Sequence, residues 1–360
     1  MTTLSTPTDP TNPTNPTTAA TTDPLVRLRR RRRTRAGAVV LVGLAACLVL
    51  VLVSLDLGMA GVPPERALPA IFGVGDRFDL LVVQKLQLPR ALAAILAGLA
   101  FGLAGALFQY TLRNNLASPD ILGISGGASL GAITSITAYG ATGLAITGSA
   151  LLGGLATAVA IWALAWRGGL HGIRFVLVGV GLSYVCASLI SWRLSEADLR
   201  EGGTVLLWTV GSVADIRDGM LGLLALGVGV LLVLGLVVGR QLRPLALGDD
   251  HASGLGVAPN RARALALLVG VGLVALATAV AGPIAFVALV SPAIARRLVD
   301  DGGAALLPSA VVGATLTLGS DVVGQVAPFG LDAPVGVVTG LVGAPYLLWL
   351  LARSERKATS

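Results

Sequence analysis

Long apolar segments alternate along this chain with short polar ones that are rich in Arg, Asp, Gly or Pro. Many of the apolar segments reach about 20 residues, the length that a helix needs to cross the hydrocarbon core of a bilayer. The pattern predicts ten membrane-spanning helices, of which the eighth is short. We place them at residues 37–57, 88–112, 118–139, 143–166, 172–193, 219–240, 260–281, 284–299, 305–325 and 334–353.

The composition supports an all-α polytopic membrane protein. Hydrophobic residues make up 54% of the chain and charged residues 12%, about half the charge of a soluble domain. Within lipid the backbone polar groups must be satisfied inside the spanning segments, which favours helices. The 47 glycines suit close helix packing. We expect the pair Gly98 and Gly102 and the series Gly123, Gly127 and Gly131 to line packing faces.

The distribution of basic residues predicts the orientation in the membrane. Residues 1–36 form a Thr- and Pro-rich tail, expected to be disordered, followed by a basic anchor at 27–35 that suits anionic lipid. Ten spans across 37–353 put this tail and residues 354–360 on one side, which carries 19 of the 26 Lys and Arg residues, against 7 on the other. The bias predicts that both termini are cytoplasmic. Because the basic residues flank spans, they do not indicate nucleic-acid binding.

The polar loop at 240–263, between the sixth and seventh predicted spans, is the most informative hydrophilic segment. A short helix held outside the bilayer between two spans indicates a surface offered to a soluble partner. A solvated connector is the alternative interpretation of the same residues.

The loop sequence predicts a short helix from Asp249 to Leu255. Asp249 and Asp250 suit the positive N-terminal end of a helix. Ala252 and Leu255, three residues apart, are expected to share a face. Gly256 is a natural residue for ending the helix.

Other polar features suggest less chemistry. Two long segments on the opposite side, 58–87 and 194–218, are either connectors or a docking surface for a delivery protein. Asp321 lies inside a predicted span, where proton coupling is one hypothesis. Its place near a span end, without an ionisable partner in another span centre, favours a structural role. We find no nucleotide-binding P-loop, catalytic triad spacing or zinc motif, and we expect no metal or cofactor in this chain.

Several motifs, in order along residues 37–353, are similar to the signature of the iron-siderophore and cobalamin importer permeases of the FecCD family. Their number and their common order make the resemblance specific. The motifs are Leu88-Pro-Arg90, Gly98, Gly105, Gln109, Asn114 to Pro119, Leu122 to Ala128, Trp208 to Ser212, Leu247 to Val257, Ala281 to Arg296 and Pro334 to Pro345.

The resemblance implies a type II ABC importer permease with ten spans. In that picture two permease subunits, identical or different, surround a pathway, ATPase subunits bind ATP inside the cell, and a binding protein delivers substrate outside. The chain itself is then a non-catalytic subunit surrounded by membrane lipid, and 243–260 is its coupling loop. The coupling residues that the resemblance implies are Gly248, Asp249, Asp250, Ala252, Leu255, Gly256 and Val257. The resemblance also implies that Arg90 and Lys85 contact the binding protein. The residues with an implied pathway or gate role are Gly168, Gly169, Gly172 and Ser183.

Two departures from the family pattern affect the docking side. Gln87 and Gln325 stand where the family usually has arginine. Without those two charges, Arg90 and Lys85 are the basic residues that remain, which suggests that the binding protein docks more weakly or asymmetrically. The missing arginines also favour pairing with a different permease subunit.

Three functional hypotheses compete at this stage. The first is the ATP-driven importer permease, with a ferric siderophore as the expected cargo and haem or cobalamin as alternatives. The second is a secondary transporter of a small solute, for which Asp321 is the available coupling group. The third is a structural or assembly subunit, which would not need a coupling-type loop.

Overall fold

The computed structural model describes residues 24–57, 61–166, 172–196, 199–214, 216, 218–300, 303–326 and 332–358. Every regular element within these ranges is helical, which confirms the all-α prediction. A six-residue π-helical segment, Val82–Gln87, joins α3 to α4. The α-helices are α1 Pro24–Leu57, α2 Pro64–Ile71, α3 Arg77–Leu81, α4 Leu88–Thr111, α5 Ile124–Tyr139, α6 Leu144–Ala165, α7 Gly172–Glu196, α8 Leu199–Val210, α9 Asp218–Leu245, α10 Asp249–Gly254, α11 Pro259–Ala281, α12 Val287–Val299, α13 Leu306–Gln325 and α14 Val335–Ala358.

In the described part of the chain, seven helical stretches are long and apolar enough to cross a membrane. They correspond to α1, α3 with α4, α6, α7, α9, α11 and α13. The other predicted spans fall on shorter apolar helices, α5 with 16 residues, α12 with 13 and the Val335–Trp349 part of α14. At 1.5 Å per residue, α12 extends about 20 Å, less than the hydrocarbon thickness of about 30 Å. The polytopic architecture is confirmed, whereas the count of ten spans stays a prediction.

The centre of the molecule is built from α4, α11 and α13. More than half of the apolar window of each is buried, while less than a quarter is buried in α1, α6, α7 and α9. Small residues let α4 and α13 touch through their backbones. A side chain on Gly98 would collide with the carbonyl of Gly313, and one on Gly102 with the carbonyl of Ser309. The predicted packing role of this glycine pair is confirmed.

The second glycine series is confirmed in part. Gly127 and Gly131 on α5 pack closely against α6, where Gly153 and Ser149 offer their backbones. Gly123 instead precedes α5 with a φ of 77° and lies against Ser183 of α7. Because a left-handed φ favours glycine, Gly123 serves the sharp entry into the helix as well as packing.

The first and last helices both run past the predicted domain boundaries at 36 and 353, and the domain division itself stays a prediction. Residues 1–23, which contain most of the predicted tail, lie outside the described part of the chain. From Pro24 onward the basic anchor is continuous with the first span in α1, so the expected boundary between residues 36 and 37 falls inside one helix. The last helix extends to Ala358, past the predicted boundary at 353.

Candidate functional site

The short helix α10, Asp249–Gly254, projects from the end of the bundle between α9 and α11. Two glycines with left-handed backbone bracket it, Gly248 at a φ of 106° and Gly256 at 81°. Val257 N–H donates to the Ala252 carbonyl, and Gly256 N–H to the Ser253 carbonyl. This is the Schellman arrangement that ends a helix at glycine. The predicted helix and its stop at Gly256 are confirmed.

Polar and apolar contacts fasten α10 to three long helices. Asp249 accepts two hydrogen bonds from the guanidinium of Arg263 on α11, at 2.8 and 2.6 Å. It also lies 3.5 Å from the guanidinium of Arg113, just beyond α4. Arg113 donates to the carbonyl of Leu245 at the end of α9. Ala252 is fully buried in the main core beneath α10. The short helix is therefore tied to α4, α9 and α11 together.

The opposite side of α10 is open and carries apolar side chains. Leu255 is 65% exposed and Leu247, which precedes the helix, is 66% exposed. The expectation that Ala252 and Leu255 share a face was wrong, because Leu255 follows the last helical residue and turns outward. Two exposed leucines at a polar, basic end of a protein indicate a contact surface for a partner.

Arg263 also changes the pKa of Asp249, the first residue of α10. Its hydrogen bonds lower the pKa of the Asp249 carboxyl, and Arg113 acts in the same direction through its charge. Asp249 is half exposed. The pair is therefore a solvent-accessible clamp whose strength depends on the ionised carboxylate.

At the far end of the bundle, Arg90 and Asp321 form a largely buried ion pair. The Arg90 guanidinium donates to both oxygens of Asp321, with its closest approach at 2.9 Å, and to both oxygens of Asp332. The Arg90 side chain is 13% exposed and that of Asp321 is 1% exposed. Arg90 lies in the first turn of α4, at a span end rather than a span centre, so the sequence did not predict this pair, and the buried pairing supports the structural role expected for Asp321. A docking role for Arg90 stays a prediction, and two internal carboxylates already hold its charge.

Gln87 and Gln325, where the family resemblance led us to expect arginine, also face inward. Gln325 donates to Asp321 at 2.7 Å and to Ser54 of α1 at 3.3 Å. The Gln87 amide is buried without a hydrogen-bond partner in the described part of the chain. Lys85, the other predicted docking residue, is exposed on the π-helical segment.

Two of the predicted pathway residues lie in α7, and the other two lie outside the described residues. Gly168 and Gly169 lie outside the described residues, and Gly172 begins α7. Ser183 donates to the Val180 carbonyl, and its backbone packs against Gly123. A pathway role for these residues stays a prediction.

The sequence did not single out the exposed stripe that α7 presents. Tyr184 is 72% exposed, Ser188 lies one turn further along, and Trp192 is 52% exposed. The Ser188 hydroxyl donates to the Tyr184 carbonyl within α7, but the Tyr184 hydroxyl and the Trp192 indole are costly in hydrocarbon unless another group satisfies them. The stripe is therefore better suited to a protein contact or a water-filled passage than to lipid. Its members recur every four residues, but apolar residues such as Leu177 and Val185 are exposed on the same helix, so the spacing by itself did not mark a contact face.

Comparison with known proteins identifies the family to which the chain belongs. The model of the FecCD transport family matches residues 46–353. This chain belongs to the FecCD transport family. The match includes α10 and the Arg90–Asp321 pair, so both features lie within the family region.

FecCD relatives are similar along most of their length. The ferric enterobactin transport system permease protein FepG of Escherichia coli (strain K12) is 37% identical over 313 residues, which cover 87% of this chain and 95% of FepG. The vitamin B12 import system permease protein BtuC of Vibrio cholerae is 34% identical, covering 79% and 86%. A solved ABC transporter of metal-chelate type, in an inward-facing conformation, superposes with a TM-score of 0.77 at 25% identity over 88% of this chain.

Proposed function

We propose that this chain is the transmembrane permease subunit of an ATP-driven importer, with ATP bound and hydrolysed by a separate ATPase subunit. The main supporting observation is α10, a short helix clamped to three long helices on one side and exposing Leu247 and Leu255 on the other. Membership of a family of transport permeases agrees with this assignment. The chain supplies the pathway and the mechanical linkage.

The linkage acts through the contacts of α10. An ATPase that presses on Leu255 moves a helix whose Asp249 holds α11 through Arg263 and α4 through Arg113. Since Arg113 also holds the last carbonyl of α9, the displacement reaches three helices at once. A helix with fixed caps transmits such a displacement better than a loose loop, because fewer backbone torsions absorb it.

The cargo that we propose is a ferric siderophore. Relatives named for ferric enterobactin and for iron(3+)-hydroxamate transport support this class. Vitamin B12 is the second candidate, because the chain also covers most of BtuC. Both are bulky chelates, which suits a pathway between two subunits rather than a pocket within one.

The remaining partners follow from the two ends and from α7. A second permease subunit, identical or related, would cover the Tyr184 stripe of α7. A substrate-binding protein would dock at the end that carries Arg90 and Lys85. The basic residues around α10 favour a cytoplasmic position for that end, with the chain in the cytoplasmic membrane and both termini inside.

A secondary transporter receives less support. Such a carrier needs an intramembrane carboxylate that gains and loses a proton or ion. Asp321 is instead neutralised by Arg90 and bonded to Gln325. Its environment suits a structural ion pair.

The test uses Leu255→Asp in the full chain, co-expressed with a candidate ATPase subunit from the same organism. We expect the variant to insert normally and to lose most of the co-purifying ATPase and the ATP-dependent uptake of iron-55 bound to a siderophore. A charged side chain cannot enter an apolar contact without a large desolvation cost. Radiolabelled cyanocobalamin, offered to the same cells, distinguishes the second cargo.

Val74→Asp is the matched control, because Val74 is also 65% exposed but lies at the opposite end. It should retain the ATPase. If Leu255→Asp retains the ATPase as well as Val74→Asp does, α10 has no part in coupling. Uptake that proceeds without ATP would overturn the whole proposal.

A further inference from the structure

A cavity of about 280 Å³ lies beside α10, where the ends of α4, α9, α11 and α12 converge. Three arginines line it, Arg113, Arg263 and Arg296, which come from different parts of the chain. Arg113 and Arg263 contact Asp249 in the proposed coupling. Arg296 and the cavity have no part in that coupling.

The charge around the cavity is unbalanced. Asp249 is the carboxylate that contacts Arg263 and Arg113. Arg296 donates to neutral amide oxygens, that of Gln109 at 2.8 Å and that of Asn115 at 3.3 Å. Among the described residues, no carboxylate lies within ion-pair distance of Arg296. Among the residues that the structure describes, three guanidinium groups share one carboxylate at this partly enclosed site, where an added anion gains more than it would in open water.

A buried hydroxyl provides a second, independent sign of a missing ligand. Thr111 lines the cavity and is 7% exposed, and its Oγ1 has no hydrogen-bond partner in the described part of the chain. Buried hydroxyl groups are normally bonded, because an orphan costs about 1–3 kcal/mol. The Oγ1 atom is closed off from the cavity in this rotamer, and a rotation about χ1 would let it donate to an oxyanion there.

Arg113 points to the same conclusion through its backbone. Its φ of 51° is left-handed, a conformation in which glycine would be free of strain and most other residues are not. The helix α4 ends there, with Asn114 N–H donating to the Gln109 carbonyl. An arginine at a position that favours glycine indicates a role for its side chain.

We propose that this cavity binds a phosphate-type oxyanion, either free inorganic phosphate or the headgroup of an anionic phospholipid. A tetrahedral phosphate presents several acceptor oxygens in different directions, so that three guanidinium groups and a hydroxyl can each reach one. A carboxylate presents two oxygens in one plane. Arginine forks match phosphate particularly well. The binding site does not depend on the proposed transport function.

The experiment uses the full chain in nanodiscs and measures binding directly. One arm uses zwitterionic lipid with phosphorus-32 phosphate. The other contains phosphatidylglycerol, with retained lipid counted by native mass spectrometry. The variants are Arg296→Gln and Thr111→Val, and the matched control is Arg261→Gln, an exposed arginine near the same end. We expect about a tenfold or greater loss of affinity for Arg296→Gln, since charge-assisted hydrogen bonds are removed, and a change below about twofold for the control.

Thr111→Val separates binding from folding. Removing an unbonded buried hydroxyl should leave thermal stability equal or higher while weakening binding. Saturable phosphate binding in the first arm assigns the free anion, and lipid retention that Arg296→Gln abolishes assigns the headgroup. Binding in neither arm, or equal binding by Arg296→Gln and Arg261→Gln, overturns the proposal. Neither result bears on uptake or on the association with an ATPase.

Discussion

At the residue scale, Arg90 shows how a tertiary partner changes the meaning of a charge. In the sequence it precedes a span and resembles a docking residue. In the folded chain its guanidinium joins α4 to Asp321 of α13 and to Asp332 before α14. Desolvating the pair opposes its Coulomb attraction, so the intact pair adds little net stability, whereas breaking one side leaves a buried charge.

We therefore expect Arg90→Ala to lower the free energy of unfolding by about 3–5 kcal/mol, because Asp321 is left buried without its cation. Asp321→Asn should cost less, since Asp332 still pairs with Arg90. Unfolding of the purified chain in a mild detergent, followed by tryptophan fluorescence, measures the differences. Arg35→Ala, which removes the exposed pair with Asp300, should cost less than about 1 kcal/mol. Equal losses for Arg90→Ala and Arg35→Ala would contradict the buried-pair argument.

At the scale of elements, α10 combines a locally encoded helix with an attachment that is not local. Its glycine stop and acidic first turn follow from adjacent residues. Its hold on the bundle depends on Arg263, fourteen residues away, and on Arg113, far earlier in the chain. The clamp also makes α10 sensitive to acid, because its carboxylate must be ionised.

The sign of that dependence follows from the lowered pKa of Asp249. The clamp contributes fully above the unfolded pKa, about 3.9 for aspartate, and is lost as pH falls through the lower folded value. A spin label at Ser253→Cys should stay immobile from pH 7 to about 5 and gain mobility below about 4. Cys47 and Cys186 are buried and should not compete for the label.

Arg263→Gln removes the principal cause of the shift and serves as the control. The label should then be mobile at neutral pH. If the variant retains the same acid transition as the parent chain, Asp249 is not the group that titrates.

At the scale of the whole molecule, the exposed helices differ in chemistry. The outward residues of α9, such as Leu226 and Val230, are aliphatic and suit lipid, whereas α7 presents Tyr184 and Ser188. One chain leaves this polar stripe uncovered. A second permease subunit would satisfy it and would form the other wall of a pathway.

We expect Tyr184→Cys to form a disulfide with a second permease subunit in native membranes under mild oxidation, because the stripe is the surface proposed to lie at the subunit contact. Non-reducing electrophoresis detects the product, and mass spectrometry shows whether the partner is a copy of this chain or a relative, when that partner carries a facing cysteine. Leu226→Cys on α9 is equally exposed and should stay monomeric. Cross-linking through Leu226→Cys and not through Tyr184→Cys would place the contact elsewhere.

The sequence by itself determined the helical class, the multi-spanning character and the short helix α10 with its stop at Gly256. These features depend on periods, apolar length and adjacent residues, which one chain displays directly. Family motifs added the permease assignment, and local spacing correctly identified Gly98 and Gly102 as a packing face.

Only the tertiary structure decided which distant residues meet. Asp321 with Arg90, Asp249 with Arg263 and Arg113, and the arginine-lined cavity beside α10 join residues from helices that are far apart in sequence. The outward turn of Leu255 and the uncovered stripe of α7 also depend on what packs around them. Hydropathy locates helices, but in uniformly apolar helices it carries little information on which face meets which neighbour.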